Sequence, residues 1–197
     1  GTTRVAGTLA STTIRLWSTN ECTQSHPPDP SPTLSTELDQ LQADIDVTAT
    51  SGDISVFGID GVVDIEAVSG DVTLTEANGN VRVDVDSGNL LLDEIGARVE
   101  ASVLSGNVTG IQLSGTTFES NVLSGNTDLT FDAVPEIVES FGDSGNITLR
   151  VPAGEYDIDA TSRRGTVSIL NVTNTPGADS VLIASTESGN IDITTSE

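Results

Sequence analysis

The apolar positions of this chain fall into columns set by a small recurring corner. Ser-Gly-Asp or Ser-Gly-Asn places its glycine at Gly52, Gly70, Gly88, Gly106, Gly125, Gly145 and Gly189, with a degenerate copy at Gly165, so that successive intervals are 18, 18, 18, 19, 20, 20 and 24 residues. Seven positions before each glycine stand Ile45, Val63, Val81, Val99, Phe118, Val138, Ile158 and Leu182, without a polar interruption. Two positions after it stand Ile54, Val72, Leu90, Val108, Thr127, Ile147, Val167 and Ile191. Four after it stand Val56, Leu74, Leu92, Gly110, Leu129, Leu149, Ile169 and Ile193. Apolar residues at alternate positions, mostly β-branched, mark a half-buried strand, whereas a helix repeats its apolar face about every 3.6 residues.

Each repeat therefore predicts two short strands and a glycine corner. A second corner is marked nine residues later by Gly61, Gly79, Gly115 and Gly154. Glycine reaches positive φ without a steric penalty, and Ser, Asn or Asp can hydrogen-bond its own turn. Units repeated at a fixed period of this size bury their apolar faces only against their neighbours. The expected fold is all-β, a parallel β-solenoid of about eight rungs with an 18–20-residue repeat, led by an N-terminal strand arm. Its rungs would stack at about 4.8 Å, giving a rod roughly 40 Å long. Five positions before the glycine the residues run Val47, Ile65, Val83, Ala101, Ser120, Ser140, Ala160 and Ala184, so the interior is expected to narrow along the array.

Residues 1–25 break the repeat and read as a β-strand arm, 26–33 as a Pro-rich linker, and 34–197 as the solenoid. After the linker, Leu38 and Leu41 share the register of Val56 and Ile59, which predicts a half-rung leading into the array. The arm carries Val5, Leu9, Ile14, Leu16 and Trp17, and the chain's last strand carries Ile191 and Ile193. Nothing after Ile193 could cover a final rung, and an open solenoid end exposes unpaired backbone and apolar core. An unpaired strand at one end and an uncovered rung at the other predict head-to-tail assembly by β-strand addition. The other arrangement left open by the sequence is an arm that folds back and caps its own rod.

Charge sharpens this picture. The chain carries 30 acidic residues against 7 basic ones, a formal net charge of −23, and every basic residue is arginine. Six positions before the glycine stand Asp46, Asp64, Arg82, Glu100, Glu119, Glu139 and Asp159, on the outer face and stacked by the repeat. Unit charges about 5 Å apart in water repel by roughly 0.8 kcal/mol, and molar salt, with a Debye length of about 3 Å, removes most of that. A lysine-free acidic surface thus reads as adaptation to concentrated salt. The rival reading is a Ca²⁺-loaded surface with Asp46 and Asp64 as the candidate ligands; no other metal or cofactor is expected. Arg82, Arg163 and Arg164 interrupt the pattern and are read as relief of like-charge stacking or as contacts to an acidic neighbour. So negative a chain is a poor partner for nucleic acid or an anionic membrane. No run of 18 apolar residues is present to span a bilayer.

Catalytic chemistry finds little support. The only histidine, His26, lies in the proline linker, and the only cysteine, Cys22, lies in the arm. A zinc site or a Cys-His nucleophile needs more partners than these. The stacked carboxylates are the repeat itself, whereas a catalytic pair should be an exception within it, so no enzyme is expected. The chain opens at Gly1 with no signal-like segment, as in a processed exported product or a trimmed chain. Asn107, Asn146 and Asn171 head N-x-Thr sequons, open to glycosylation on export.

The unit Val-x-Ile-x-Ala-x-Ser-Gly-Asp-Val-x-Leu, from Val63 to Leu74, resembles the adhesin-type family of bacterial and archaeal surface β-solenoids built on Ser-Gly-[Asp/Asn] repeats. The resemblance covers residues 44–197, and it implies a cell-surface or envelope location with no catalytic residues to carry over. The arm and the absence of lysine depart from that pattern. The resulting expectation is a non-catalytic extracellular structural protein of a salt-adapted microbe, polymerising into a cell-surface filament. Its partners would be copies of itself, with other surface proteins or glycans. The alternative is a monomeric cell-surface adhesin or glycan-binding module.

Overall fold

The structure, a computed structural model, describes residues 2–6, 12–17 and 35–196. Leu9, Cys22, His26 and the Pro-rich linker lie outside the described residues. The arm holds β1 (Thr2–Ala6) and β2 (Thr12–Trp17). The repeats hold β3 (Ser35–Leu41), β4 (Asp44–Ala49), β5 (Asp53–Ile59), β6 (Val63–Ser69), β7 (Val72–Ala77), β8 (Val81–Ser87), β9 (Leu90–Ile95), β10 (Val99–Ser105), β11 (Val108–Leu113) and β12 (Thr117–Ser124). They continue with β13 (Thr127–Phe131), β14 (Ile137–Ser144), β15 (Ile147–Val151), β16 (Glu155–Ser162), β17 (Val167–Leu170), β18 (Thr173–Asn174), β19 (Val181–Ser188) and β20 (Ile191–Thr195). No described residue is helical.

Two sheets face each other across one hydrophobic core, ordered β1-β3-β5-β7-β9-β11-β13-β15-β20-β17 and β18-β16-β19-β14-β12-β10-β8-β6-β4-β2. Neighbours pair in parallel except where β1 lies antiparallel on β3 and β2 on β4. This is a parallel β-solenoid, and its register is the one the columns predict. Val63 pairs with Val81, Val81 with Val99, and Val99 with Phe118. The half-rung is also present, with Leu38 over Val56 and Leu41 over Ile59.

Two further inward columns complete the core. Ala49, Ala67, Val85, Val103 and Val122, three positions before the glycine, are buried. So are Ile59, Ala77, Ile95 and Leu113, seven after it. The second set breaks the period of two, because residues three apart in one strand both point inward. The backbone allows it through a left-handed residue in each early rung: Gly58 (φ 66°), Glu76 (φ 56°), Glu94 (φ 56°) and Gln112 (φ 53°). Such a residue acts as a bulge that re-aims the side chain following it.

The expected narrowing of the interior is offset in the middle rungs. Where the inward column shrinks to Ser120, Phe118 on the same strand meets Phe131 edge to face, ring centres 6.0 Å apart. Gly110, the gap in its column, is filled by Leu113 and Leu129, whose side chains would lie 2.7 and 2.9 Å from an added Cβ. Ser120 and Ser140 are both buried, and the Ser120 hydroxyl donates to Ser140 Oγ at 2.9 Å. The pair satisfies itself, as buried polar groups must.

The corner works differently from the local turn expected. Its Asp and Asn side chains bond the next rung rather than their own turn. Asp53 accepts from the Asp71 N–H, Asp71 from Asn89, Asn89 from Asn107, Asn107 from Asn126, and Asn126 from Asn146. The ladder then runs from Asn146 to Asn190 and from Asn190 to Thr166.

That last step shows an order the repeat spacing had hidden. The C-terminal rung of β19 and β20 is not the end of the rod. It lies between the rung of β14 and β15 and the rung of β16 and β17. The expectation that Ile191 and Ile193 form an open end is therefore corrected: both are buried, flanked by β15 on one side and β17 on the other. Corner chemistry explains the order. Every inner rung from Gly52 to Gly189 turns at positive φ, whereas Gly165 does not and is preceded by Arg164 where each of the other corners has serine.

Successive corners approach so closely that a side chain at the glycine has nowhere to go. A Cβ on Gly106, at φ 145°, would sit 1.7 Å from the Gly88 carbonyl oxygen, whereas the nearest atoms to one on Gly96 are 3.6 Å away. Gly106→Ala should therefore cost about 3 kcal/mol or more. Gly96→Ala should stay within about 0.5 kcal/mol of the parent or stabilise slightly. Thermal or urea unfolding followed by circular dichroism checks both, and equal effects would contradict the close axial approach.

Candidate functional site

The outer face of the second sheet carries the acidic column, stacked in register as Asp46, Asp64, Arg82, Glu100, Glu119 and Glu139. Beyond Glu139 the column continues to Ile183 and only then to Asp159. The inserted rung thus separates two carboxylates that sequence order alone makes neighbours. Arg82 donates from Nε to Asp84 at 3.1 Å while standing between Asp64 and Glu100. The hydrogen bond to Asp84, then the charges of Asp84, Glu100 and Asp64, push its guanidinium above its ordinary value. Arg98 pairs with Glu119 at 3.6 Å, Arg163 with Glu187 at 3.0 Å, and Arg150 with Asp128. Each of these arginines meets an acid on its own chain; of the three singled out in the sequence, Arg82 and Arg163 are paired in this way.

Asp46 and Asp64, the candidate Ca²⁺ ligands, are register neighbours. Among the described residues no three His, Cys, Asp or Glu side chains converge as a metal site would require. A shallow open depression of about 420 Å³ lies beside Glu155, Asp179 and the loop at Gly177, whose N–H donates to Asp157 at 2.9 Å. Asn107 and Asn146 are exposed members of the corner ladder. Asn171 is exposed in a left-handed turn, φ 61°.

The two ends of the rod differ. At the head, the arm strands lie on their own first rung: Val5 is opposite Thr36, Ile14 opposite Val47, Leu16 opposite Ile45 and Trp17 opposite Asp44. At the tail, β17 ends its sheet and carries Val167, Ile169 and Leu170, exposed by 40%, 37% and 59%; their column mates Ile191 and Ile193 are at 0%. Arg163 and Arg164 sit at the adjoining corner. The other sheet ends differently, with β18 covering only Glu155 and Tyr156 of β16. Tyr156 is buried beneath it and donates its hydroxyl to the Pro152 carbonyl at 2.8 Å. Gly154 stands at the bend between β15 and β16, as its corner position predicts, and lies against the Tyr156 ring, which would be 3.3 Å from an added Cβ.

The tail was missed by sequence reasoning because strand order was taken to follow chain order. One available signal was the loss of the Ser-Gly corner at Arg164-Gly165. No protein-family model, no curated protein and no solved structure matches the chain.

Arg82 divides the acidic column, so Arg82→Ala should lower the unfolding midpoint in dilute buffer and leave it nearly unchanged in molar NaCl or KCl. Equal losses at both salt levels would mean that Arg82 acts by packing.

Burial raises the Tyr156 phenol above its ordinary value. A group kept neutral by the fold contributes fully below its unfolded pKa, about 10, and that contribution is lost as pH climbs through the folded value. Absorbance titration of this single tyrosine should find it ionising above pH of about 10, together with loosening of the tail rung.

Proposed function

We propose that this protein is a non-catalytic structural rod of an extracellular or cell-surface filament in a salt-rich environment, joining head to tail through its open end. The observation that carries the reading is the tail rung. Val167 and Ile169 occupy inward columns that are buried in the rung below, and here they are exposed because no further rung covers them among the described residues. An edge of this kind is a template for another strand. The strand offered by a second copy is β1, the outermost strand of the same sheet at the opposite end. The joint thus differs from donation of a free arm, since each arm stays on its own first rung and supplies the edge to be added. Unlike ends joined in this way propagate instead of closing.

The acidic column supports the environment. Stacked carboxylates on successive rungs are tolerable in molar salt and self-repelling in dilute buffer. The resemblance of the repeat to surface β-solenoids supports the location.

A second reading, an adhesin or glycan-binding module, is favoured by one feature. Leu104, Leu123 and Phe141 are exposed on adjoining strands of the acidic sheet. It would require a monodisperse particle whose binding to sugars or surfaces is lost in Phe141→Ala.

Negative-stain electron microscopy in molar salt should show filaments for the parent chain and single rods for the Ile169→Asp, Leu170→Asp double variant. Both substitutions lie on the exposed edge, so the fold should survive them. Filaments that persist in the double variant would place the joint elsewhere, and an absence of filaments in the parent would sink the reading.

A further inference from the structure

The inserted rung points to a movable element. We propose that the last two rungs are exchangeable: the tail first stacks in chain order, with β16 and β17 on β14 and β15, and then segment 181–196 displaces them outward and inserts beneath. The proposal rests on rung order and stands whether or not the rod polymerises.

The two rungs present nearly the same core to whatever lies below them. Ile158 and Leu182 share one inward column, Ala160 and Ala184 the next, Val167 and Ile191 a third, and Ile169 and Ile193 a fourth. Either rung can therefore fill the site above Val138, Ile147 and Leu149. Chain entropy favours the wrong one at first. Gly145 lies 20 residues from Gly165 and 44 from Gly189, and the shorter loop closes about three times as readily.

What favours insertion is polar and specific. Asn190 bridges both neighbours: its N–H donates to Asn146 Oδ1 at 2.8 Å, and its own Oδ1 accepts from the Thr166 N–H and hydroxyl, each at 3.0 Å. The short β-branched side chain of Thr166 cannot span two rungs in this way, so the ladder runs unbroken only in the inserted order. Ser162 donates to the Gly189 carbonyl at 2.7 Å, and Arg163 pairs with Glu187 at 3.0 Å. In chain order the Arg163-Arg164 corner would be held between two tight Ser-Gly corners, at Gly145 and Gly189. Insertion moves it to the end, where there is room.

Insertion also decides what the tail presents. The chain leaves the rod at its side, where the Ser196 N–H donates to the Val151 carbonyl at 2.7 Å and its hydroxyl to the Phe131 carbonyl at 3.0 Å. The end face is then Val167, Ile169 and Leu170, not the last strand of the chain. A fold with two packings of similar core and different polar contacts has the elements of a two-state device.

Cysteine pairs in the full chain, with Cys22→Ser as background, test this. Thr148 is the register neighbour of Asp192, and Asp192 of Ser168. In chain order Thr148 would instead neighbour Ser168. During refolding, Thr148→Cys with Ser168→Cys should form a disulfide early and lose the capacity to do so with time, while Thr148→Cys with Asp192→Cys gains it. Asn190→Ala should raise the Thr148–Ser168 yield several-fold at equilibrium. The opposite sheet gives an independent pair of readings, Glu139→Cys with Asp159→Cys for chain order and with Ile183→Cys for insertion. If neither chain-order pair ever cross-links above background, including in Asn190→Ala, there is one packing only and the proposal fails. If neither insertion pair cross-links, the inserted order itself is wrong.

Discussion

Stacking at strand spacing is the constraint on which the rest of this molecule depends. In a parallel solenoid each residue sits over its counterpart in the next turn, so every position becomes a column in which like tends to meet like. For Val over Val the arrangement is favourable, because two apolar faces leave water together. For Asn over Asn it is also favourable, since an amide is both donor and acceptor and can bond the rung on either side. For glycine it is obligatory, since the corner carbonyls approach to where a Cβ would stand. Carboxylates are the exception. A column of Asp and Glu stores repulsion at every step, and the chain lessens it with Arg82 inside the column, with Arg98 paired to Glu119, and with Ile183 between Glu139 and Asp159.

Much of the fold was legible because stacking writes itself into the sequence as a period. The column from Ile45 to Leu182 could be read by counting back from the glycines, and the register of Leu38 over Val56 followed from the same count. The column of Ile59, Ala77, Ile95 and Leu113 was harder, because it depends on a left-handed residue that Glu76, Glu94 and Gln112 do not advertise. Of these positions only Gly58 carries the residue type that the conformation favours. The ladder of asparagines was visible as residues and invisible as a network: the same side chains are competent to bond their own turn, and only coordinates distinguish the two.

Rung order was illegible for a physical reason. Counting along the chain orders the repeats by sequence, and apolar columns cannot contradict the count when neighbouring rungs carry equivalent side chains. Ile158 and Leu182 report the same inward position and nothing about which rung lies below. The discriminating residues are those at the corner. Asn190 continues the ladder and Thr166 ends it, while Arg164 stands where each of the other corners has serine. The information was therefore present, though in the degenerate copy of the repeat and not in the regular ones.

The same corner separates the two ends of the rod. Each link of the ladder runs one way, from a backbone N–H to a side-chain oxygen nearer the head, so the rod has a direction built into its hydrogen bonds. The head adds antiparallel strands to this parallel stack, and the tail stops at a parallel edge whose inward side chains have no rung above them. A polar rod with unlike ends presents a different strand edge at each, β1 at the head and β17 at the tail, and the proposed joint would pair the two. The acidic sides would work in concert with that joint: lateral approach brings carboxylate columns together along the length of the rod, whereas axial approach brings together two strand edges. High salt weakens the lateral repulsion while leaving strand pairing and apolar burial in force. A medium that permits so acidic a surface would thus leave the axial joint of the proposed filament its driving force.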